Sequence, residues 1–287
     1  MAPSKVWLIS GANTGFGLEL SLKALQEGDK VIAAVRNPAK IPEELKRPEV
    51  ATIAFDLSWP QDQINSFIKT AWETFGNIDV VVNNAAYAYM GAIEESTDED
   101  IKKQYDINVF GVLRVIRAIL PYLRAQKSGT IANISSIGGL HSYAANGMYC
   151  STKFAIEGIT GALQDEIAPF GLRALIIQPG YFRTNFLGGA AAGQNLTKPI
   201  AAYDGTTAHQ AAENFEKFNG RQLGNPKLGA ARIWEVISGE GLAKGKKKLL
   251  RLPLGSDTGA VMNGLSEELA ETAKEYEEIW KSTDYKD

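Results

Sequence analysis

The sequence predicts an α/β protein built on a doubly wound parallel sheet of about seven strands, covered by helices on both faces in three layers. Short β-branched runs alternate with longer amphipathic segments through most of the 287 residues, which is the order of βαβ units and not of hairpins. Residues 31–35 and 80–82 are continuously apolar, as central parallel strands are when helices cover both faces. The first apolar run leads into a glycine-rich turn and then a helix, an order typical of nucleotide-binding sheets.

In chain order, the pattern predicts strands at residues 6–10, 30–36, 51–55, 78–83, 130–135, 173–177 and 248–252. It predicts helices at residues 15–27, 60–75, 97–125, 226–238 and 266–281, and one that carries Tyr149 and ends near residue 168. Residues 182–225 begin with a glycine- and alanine-rich stretch and show no clear period. Because they follow a late strand, at the sheet edge where ligands bind, we expect them to form a substrate lid. A surface insertion away from the site is the alternative.

No internal repeat or linker interrupts this pattern. We therefore expect residues 1–283 to form a single domain. Residues 284–287 resemble the start of an epitope tag, and we interpret them as a tag remnant or a disordered tail.

The composition argues against several classes of function. Thirty basic residues against thirty-three acidic ones leave a net charge of −3, which offers no attraction for nucleic acid or an anionic membrane. The lysine-rich run at 244–248 is best explained as a solvated loop. A single cysteine, Cys150, and the lack of any run of ~18 apolar residues favour a cytoplasmic protein without a membrane segment. Two histidines, with no cysteine or carboxylate at ligand spacing, give no reason to expect a metal site.

The turn after the first predicted strand suits a dinucleotide. Residues 10–17 read Ser-Gly-Ala-Asn-Thr-Gly-Phe-Gly, and such glycines let the backbone approach a pyrophosphate at a helix N-terminus. The order of the glycines differs from the common G-x-G-x-x-G fingerprint. The argument for a cofactor site is strengthened by the position of the turn between a predicted strand and a predicted helix. The residues expected to hold the cofactor here are Gly11, Asn13, Thr14, Gly15, Phe16 and Gly17.

The end of the second predicted strand indicates which nicotinamide cofactor binds. NAD sites commonly hold a carboxylate about 20 residues beyond the glycines, bonded to the ribose 2′-hydroxyl. Here the strand ends Ala34-Val35-Arg36-Asn37, so no acid would repel a 2′-phosphate and Arg36 can pair with it. We expect NADP(H), held in part by Arg36 and Asn37. An arginine that only covers the sheet edge is the alternative.

Three side chains form a candidate carbonyl-binding group. Tyr149 and Lys153 are four residues apart on a predicted helix, so both project from one face. A nearby cation lowers a tyrosine pKa from its usual value of about 10, and a shift of roughly three units takes about 4 kcal/mol. Ser136 follows a predicted strand, where its hydroxyl can hold a carbonyl oxygen against the phenol. By itself, the Tyr–Lys spacing also fits an ordinary surface pair.

Together, these segments resemble the classical short-chain dehydrogenase/reductase family over residues 4–186, and within it the hydroxysteroid-dehydrogenase-like branch. The motifs, in family order, are the glycine turn, Asp56-Leu57, Asn83-Asn84-Ala85, Asn108, the trio Ser136, Tyr149 and Lys153, and Pro179-Gly180 with Thr184. The resemblance implies a Rossmann-type fold. One position departs from the pattern: Ala86 stands where the family normally has glycine.

The resemblance implies an NADPH-dependent carbonyl reductase or alcohol dehydrogenase. Hydride would pass between the nicotinamide and a carbonyl carbon while Tyr149 exchanges a proton with the oxygen that Ser136 positions. Lys153 would hold the ribose hydroxyls and lower the Tyr149 pKa, and Asn108 would anchor a water in the proton relay. The further cofactor contacts it implies are Asp56, Leu57, Asn84, Ala85, Tyr149, Lys153, Pro179, Gly180, Phe182 and Thr184.

The residues expected around the substrate are mostly aromatic and nearly uncharged, with Arg183 as the nearby exception. Such a wall suits an apolar or aromatic ketone, aldehyde or secondary alcohol, and not a sugar phosphate or dicarboxylate, which would need an Arg or Lys clamp. The substrate residues we expect are Tyr87, Tyr89, Met90, His141, Tyr143, Tyr181 and Phe186.

Two other functions stay open. The same site could perform epimerisation or another biosynthetic step with the same cofactor, or the chain could be a non-catalytic NADP-binding protein, against which the intact catalytic tetrad argues. A serine hydrolase is disfavoured because no G-x-S-x-G motif occurs. Family members often pair through the helices holding Asn108 and Tyr149, which implies a homo-oligomer, a dimer or tetramer. The long lid and the C-terminal helix leave room for a monomer.

Overall fold

Seven parallel strands form the main sheet in the computed structural model, which describes residues 4–186, 192–193 and 199–285. These strands are β1 (Val6–Ser10), β2 (Lys30–Val35), β3 (Val50–Ala54), β4 (Val80–Asn83), β6 (Thr130–Ile134), β7 (Arg173–Pro179) and β9 (Arg251–Leu254). Their order across the sheet is β3-β2-β1-β4-β6-β7-β9. Two short strands, β5 (Ala88–Tyr89) and β8 (Ala192–Gly193), pair separately.

Helices cover both faces of this sheet. They are α1 (Gly15–Gln26), α2 (Gln61–Phe75), α3 (Asp98–Tyr105), α4 (Val112–Gln126), α5 (Gly147–Ile167), α6 (Thr207–Phe218), α7 (Pro226–Ser238), α8 (Ser256–Glu275) and α9 (Glu277–Lys281). α2, α4 and α5 pack on one face, and α1 and α7 pack on the other. The structure therefore confirms the predicted three-layer, doubly wound fold.

The alternation of side chains in β1 explains why its sequence is apolar throughout. Val6 and Leu8 point into the core beneath α2 and α4, whereas Trp7 and Ile9 point into the core beneath α1 and α7. Successive strand residues face opposite sides of a sheet, so a strand covered on both faces needs apolar residues at every position.

The strand order reverses direction at β1, which pairs with β2 on one side and β4 on the other. The connection after β1 leads to one flank of the sheet, and the connection after β4 leads to the other. In open parallel sheets the crevice between two such connections is the usual ligand site. The glycine turn after β1 and the Asn84–Ala86 segment after β4 meet at this point.

A buried carboxylate ties the start of the chain to a late helix. Asp29 Oδ2 accepts hydrogen bonds from the indoles of Trp7 at 2.8 Å and Trp234 at 2.9 Å, and Oδ1 accepts from the backbone N–H of Lys5 at 2.8 Å. Trp7 is fully buried. This contact fixes α7 against β1.

The largest differences from the predicted element boundaries concern three elements. The predicted helix 97–125 is divided by a π-helical turn, Asp106–Gly111, between α3 and α4. The last strand is Arg251–Leu254, later than predicted, and α8 begins at Ser256, ten residues before the predicted start.

The proposed lid contains α6 and a short β8, neither of which was predicted. Part of the lid prediction, residues 187–191 and 194–198, and the last two residues of the predicted tail lie outside the described residues. Within the described ranges, no helix combines the length and apolar character needed to cross a bilayer.

Candidate active site

A cavity of about 860 Å³ lies at the carboxyl edge of the sheet, over the crevice beside β1. Residues from the glycine turn, the ends of β2 and β4, the start of α5 and the segment after β7 line it. It therefore brings together elements that are far apart in sequence. Most of the predicted site residues contribute to its surface.

The glycine turn has the backbone shape that a phosphate-binding loop requires. Gly11 and Gly15 have φ values of +67° and +53°, in the left-handed region that favours glycine. A Cβ on Gly17 would lie 2.2 Å from the Gly11 carbonyl oxygen, so only glycine fits there. Asn13, Thr14 and Phe16 line the cavity beside it, while Gly17 lies behind. Gly15 and Phe16, in the first turn of α1, line the cavity, and the N–H groups at a helix N-terminus can bind a pyrophosphate.

Two cations stand at the end of β2. Arg36 and Lys40 are exposed and line the cavity, and Arg36 makes no ion pair or hydrogen bond within the described part of the chain. Asn37 caps the turn Pro38–Lys40 by accepting from the Ala39 N–H at 3.0 Å. Lys40 was not predicted, although it lies only four residues beyond Arg36.

The loop after β4 is anchored to the glycine turn by Ser10. Its hydroxyl accepts the N–H groups of Asn84 and Ala85, each at 3.0 Å. The Asn84 amide donates to the Ser10 carbonyl at 2.9 Å, so its side chain fixes the crevice walls to each other. Asn84, Ala85 and Ala86 all line the cavity.

Asp56 and Leu57, which follow β3, also lie on the cavity lining. One Asp56 oxygen accepts from the N–H and hydroxyl of Ser58, at 2.9 and 2.8 Å. Gly111 packs closely beneath: a Cβ there would lie 2.6 Å from the Leu57 carbonyl oxygen. The packing of the π-helical turn therefore holds this part of the cavity floor in place.

Tyr149 and Lys153 are buried side by side at the start of α5. The Lys153 ammonium lies 5.5 Å from the centre of the Tyr149 ring and donates to the Ile134 carbonyl at 2.8 Å. Ser136 follows β6 on the facing wall, and its Oγ accepts from the Gly138 N–H at 3.0 Å. The three predicted groups thus meet on the cavity lining.

Burial dominates the protonation of this pair. It raises the pKa of Tyr149, an effect partly opposed by a hydrogen bond with Ser136. Burial also lowers the pKa of Lys153 to about 8, partly opposed by the charge of Glu157. At neutral pH the phenol therefore carries its proton, as a general acid must, while the lysine is close to losing its charge.

Asn108 lies in the π-helical turn and is 2% exposed. Its side chain accepts from the Tyr87 N–H at 2.8 Å and donates to the Tyr87 carbonyl at 2.7 Å and to Thr152 Oγ1 at 3.1 Å. The amide thus joins the loop after β4 to α5. Asn108 does not line the cavity. Its side chain is engaged by protein groups, so its structural role is to fix the wall beside Tyr149.

The end of β7 and the segment that follows it form one side of the cavity. Pro179, Gly180, Phe182 and Thr184 all line it. The Phe182 ring packs 4.8 Å from the Phe16 ring. Asp257, in the first turn of α8, accepts the Tyr181 N–H at 2.7 Å, and a Cβ on Gly180 would lie 2.1 Å from its Oδ1. The first turn of α8 therefore supports this segment from behind.

Four of the seven predicted substrate residues reach the cavity: Tyr87, Tyr143, Tyr181 and Phe186. The Phe186 ring lies 5.8 Å from the Tyr149 ring. Burial raises the pKa of Tyr181 to about 12, so this phenol is neutral and acts as an apolar wall with a polar tip.

The other three predicted substrate residues lie outside the cavity lining. Tyr89 is buried within β5, with its hydroxyl donating to the Glu95 carbonyl at 3.2 Å. His141 is exposed and packs edge-on against Tyr143, and Met90 follows β5 without reaching the cavity. These three residues were predicted because they lie next to a motif in the sequence. Which residues face the cavity depends instead on the direction of each side chain.

The charged residues near the substrate end also differ from expectation. Arg183 is held by the Gln222 carbonyl, which accepts from its Nε at 3.3 Å and its Nη2 at 2.9 Å, and it does not line the cavity. Lys103, on α3, does line it, and its ammonium lies 5.2 Å from the centre of the Tyr87 ring. No predicted site residue indicated Lys103, which lies four residues before Ile107, another residue of the lining.

Residues of the proposed lid are bonded to the loop that follows β5. Glu95 is buried and accepts from the Ile200 N–H at 2.9 Å and contacts His209 Nε2 at 2.7 Å. The Tyr203 hydroxyl donates to Glu94 at 2.8 Å. In the described ranges, no group of three or more His, Cys, Asp or Glu side chains has the geometry of a metal site.

The comparisons with known proteins all find short-chain dehydrogenases or oxidoreductases. The family model described as short chain dehydrogenase matches residues 5–195. Oxidoreductase BOA17 of Botryotinia fuckeliana is 33% identical over 279 residues, which cover 96% of this chain and 98% of that protein. The crystal structure of a short-chain dehydrogenase from Streptomyces avermitilis is 32% identical with a TM-score of 0.86, covering 99% of this chain and 100% of that chain.

Two more distant structures contain a nucleotide. A short chain dehydrogenase/reductase from Burkholderia phymatum in complex with NAD has a TM-score of 0.79 at 21% identity, covering 96% of this chain and 95% of that chain. A short chain dehydrogenase from Burkholderia cenocepacia in complex with NADP has a TM-score of 0.72 at 20% identity, covering 95% and 97%. At these sequence identities, the similarity shows only that the two structures share the fold of this chain.

Proposed function

The chain belongs to the short chain dehydrogenase family and is an oxidoreductase, and on that premise we propose that it is an NADPH-dependent carbonyl reductase. The observation that carries the proposal is the burial of Tyr149 beside Lys153 in a cavity whose other end is a glycine turn. This arrangement has a proton donor at one end and a phosphate-binding backbone at the other.

The residues of the cavity suit NADP(H). Gly17 lets the Gly11 carbonyl pack against the start of α1, which supports the turn shape that a pyrophosphate would need. Arg36 and Lys40 line the cavity and form no ion pair with an acid among the described residues, so both could contact a ribose 2′-phosphate. Since relatives of this fold contain either NAD or NADP, the two cations are the feature that favours NADP in this chain.

Bound NADPH would supply the hydride for the carbonyl carbon. The chain's own contribution is to the oxygen. The Tyr149 hydroxyl donates its proton to the developing alkoxide, and Ser136 donates a second hydrogen bond that holds this oxygen in place. Lys153 places a positive charge beside the phenol, which stabilises the phenolate left after proton transfer. In the direction of alcohol oxidation the same groups act in reverse, with Tyr149 as the base.

The substrate end favours an apolar or aromatic ketone, aldehyde or secondary alcohol. Tyr143, Tyr181 and Phe186 form an aromatic wall beside Tyr149, and rings of this kind bind apolar surface with little penalty. Arg183 is engaged by the Gln222 carbonyl, whereas Lys103 lines the cavity beside Tyr87. We further propose that residues 1–283 act as one domain and that residues 182–225 form its lid.

We also propose a homo-oligomer formed through the helices that hold Asn108 and Tyr149. Phe110 in the π-helical turn and Phe154 on α5 are 49% and 43% exposed, so both helices carry an apolar ring that an interface could cover. A cytoplasmic location is proposed because the one cysteine of the chain is a free, buried thiol.

The test is NADPH oxidation with a panel of hydrophobic ketones and aldehydes, with NADH in parallel. We expect turnover with NADPH and its loss in Tyr149→Phe, with cofactor binding retained. Tyr122→Phe is the matched control, because Tyr122 packs against Trp72 away from the cavity. Turnover that persists in Tyr149→Phe would refute the assigned acid. Substrate conversion without net NADPH oxidation would favour epimerisation, and tight NADPH binding without any conversion would favour a non-catalytic role.

A further inference from the structure

A buried carboxylate lies one helical turn beyond Lys153 on α5, outside the cavity lining. Only 8% of the Glu157 side chain is exposed. Its Oε1 accepts from Gln178 Nε2 on β7 at 3.0 Å, and its Oε2 accepts from Arg251 Nε on β9 at 3.0 Å. A charge at this depth is costly unless nearby groups compensate it. Its position at i+4 from Lys153 puts the two on the same helix face.

The two cations beside Glu157 differ in their access to water. The Arg251 side chain is 45% exposed, so solvent screens its charge. Lys153 is 3% exposed, and the interior between it and Glu157 screens much less. The carboxylate is therefore held in place mainly by Gln178 and Arg251, while the partner whose charge state it affects most is Lys153.

We propose that Glu157 is a positioning residue that keeps Lys153 protonated, and therefore able to act on Tyr149, at the pH where the enzyme works. This inference rests on the proposed function, in which the lysine charge stabilises the phenolate. Gln178 and Arg251 fix the carboxylate from the neighbouring strands, so the effect is built into the sheet and does not depend on a mobile side chain.

The protonation of Lys153 fits this role. Burial lowers its pKa to about 8, and the charge of Glu157 opposes that shift. Without Glu157 the loss of charge would occur closer to neutral pH. Among the described residues, Arg251 pairs with Glu157, and the charges of Cys150 and Tyr181 act on Tyr149. Tyr143 and Asp257 act in turn on Tyr181.

The direct test is an NMR titration of the lysine Cε carbons in lysine-labelled protein, with the Lys153 signal assigned by its loss in Lys153→Arg. We expect the Lys153 midpoint to fall by about one pH unit or more in Glu157→Gln. Arg251→Met removes the opposite charge and keeps the carboxylate, so the midpoint should not fall there. Glu166→Gln, at an exposed position of the same helix, should leave it unchanged.

The alkaline limb of the pH profile for NADPH-dependent reduction should move down with the midpoint in Glu157→Gln. An unchanged midpoint in that variant, or an equal fall in Arg251→Met, would overturn the proposal, because a purely structural role predicts the same effect for both. If Glu157→Gln fails to fold, Glu157→Asp replaces it: a smaller fall supports the proposal and no change overturns it.

The outcomes separate this proposal from the proposed function. A fallen Lys153 midpoint in a protein that reduces no carbonyl would leave the role of Glu157 in place and remove the reductase. Turnover with an unchanged midpoint would do the reverse.

Discussion

His209 Nε2 lies 2.7 Å from Glu95 Oε1, and this contact fastens the proposed lid to the loop that follows β5. His209 Nδ1 also lies 3.3 Å from Asp204 Oδ1. The hydrogen bond with Glu95 raises the pKa of His209. Burial raises the pKa of Glu95, but its hydrogen bonds from Ile200, His209 and Ala92 outweigh burial and lower that pKa overall.

The lid should therefore loosen as the solution becomes alkaline. A histidine whose pKa is raised on folding contributes stability that is complete below its unfolded value of about 6.5 and is lost as pH rises through the folded value. Glu95 limits the effect at the acid end, where its carboxylate takes up a proton. We expect hydrogen exchange of α6, corrected for intrinsic rates, to increase across the His209 titration. His209→Gln should abolish this dependence and His141→Gln, at the exposed histidine, should keep it; identical curves for all three proteins would contradict it.

Arg36 should set the cofactor preference. Arg36→Ala removes a charged partner of the 2′-phosphate, so the KM for NADPH should rise about tenfold or more, while the KM for NADH stays nearly constant. Steady-state kinetics with both cofactors measure this. Arg47→Ala is the control, because Arg47 is exposed and outside the cavity lining. An equal effect on both cofactors would argue that Arg36 only supports the sheet edge.

Gly17→Ala should abolish cofactor binding. The new methyl would lie 2.2 Å from the Gly11 carbonyl oxygen, so the turn must change shape. In thermal unfolding, the rise in Tm that NADP+ gives the unmodified protein should disappear. Gly161→Ala is a matched helical control: its Cβ meets nothing within 4 Å, so it should raise stability by about 0.5–1 kcal/mol and keep the NADP+ effect. A normal Tm rise in Gly17→Ala would contradict the assigned phosphate turn.

Asp29→Ala should be among the more destabilising single changes. It leaves the indole N–H of Trp7 and Trp234 without their acceptor, at a cost of about 2–4 kcal/mol. Urea unfolding followed by tryptophan fluorescence measures this free energy. Asp29→Asn keeps one acceptor oxygen and should lose less. Equal losses for the two variants would show that the charge, and not the acceptor, is what matters.

Phe154→Glu should lower the mass of the protein in solution. Light scattering should give a multiple of 31.1 kDa for the unmodified protein and the monomer mass for the variant, since a buried charge at the interface is costly. Phe170→Glu, at an equally exposed ring after α5, is the control. A monomeric unmodified protein would remove the oligomer from the proposal.

The sequence predicted the strands of the sheet well because apolar continuity and β-branching depend on local residues. The last strand was placed too early because it is an edge strand in which the charged Arg251 and the strand-disfavouring Pro253 interrupt the apolar pattern. The start of α8 was missed because residues 256–265 include two glycines, and tertiary contacts of Asp257 and the burial of Thr258 stabilise the helix there. The π-helical turn around Asn108 leaves no period to detect.

For the site, motif spacing predicted the cavity residues that the backbone directs inward. It did not separate Tyr143, which lines the cavity, from His141, which does not, because that depends on the turn Ile137–Gly139 and the path of the loop after it. The roles of the individual site residues, and the resemblance to the hydroxysteroid-dehydrogenase-like branch, stay predictions.

The strand order has a consequence for a chain that is still being synthesised. On one flank of β1 the sheet grows through β2 and β3, and on the other through β4, β6, β7 and β9, so each new strand pairs with one made earlier. During synthesis two strands keep an unpaired edge for the longest intervals, β1 from Ser10 to Val80 and β7 from Pro179 to Arg251. An apolar strand with an open edge readily pairs with other chains. A nascent-chain chaperone would therefore be most useful on this protein before β4 emerges from the ribosome, and again before β9 emerges.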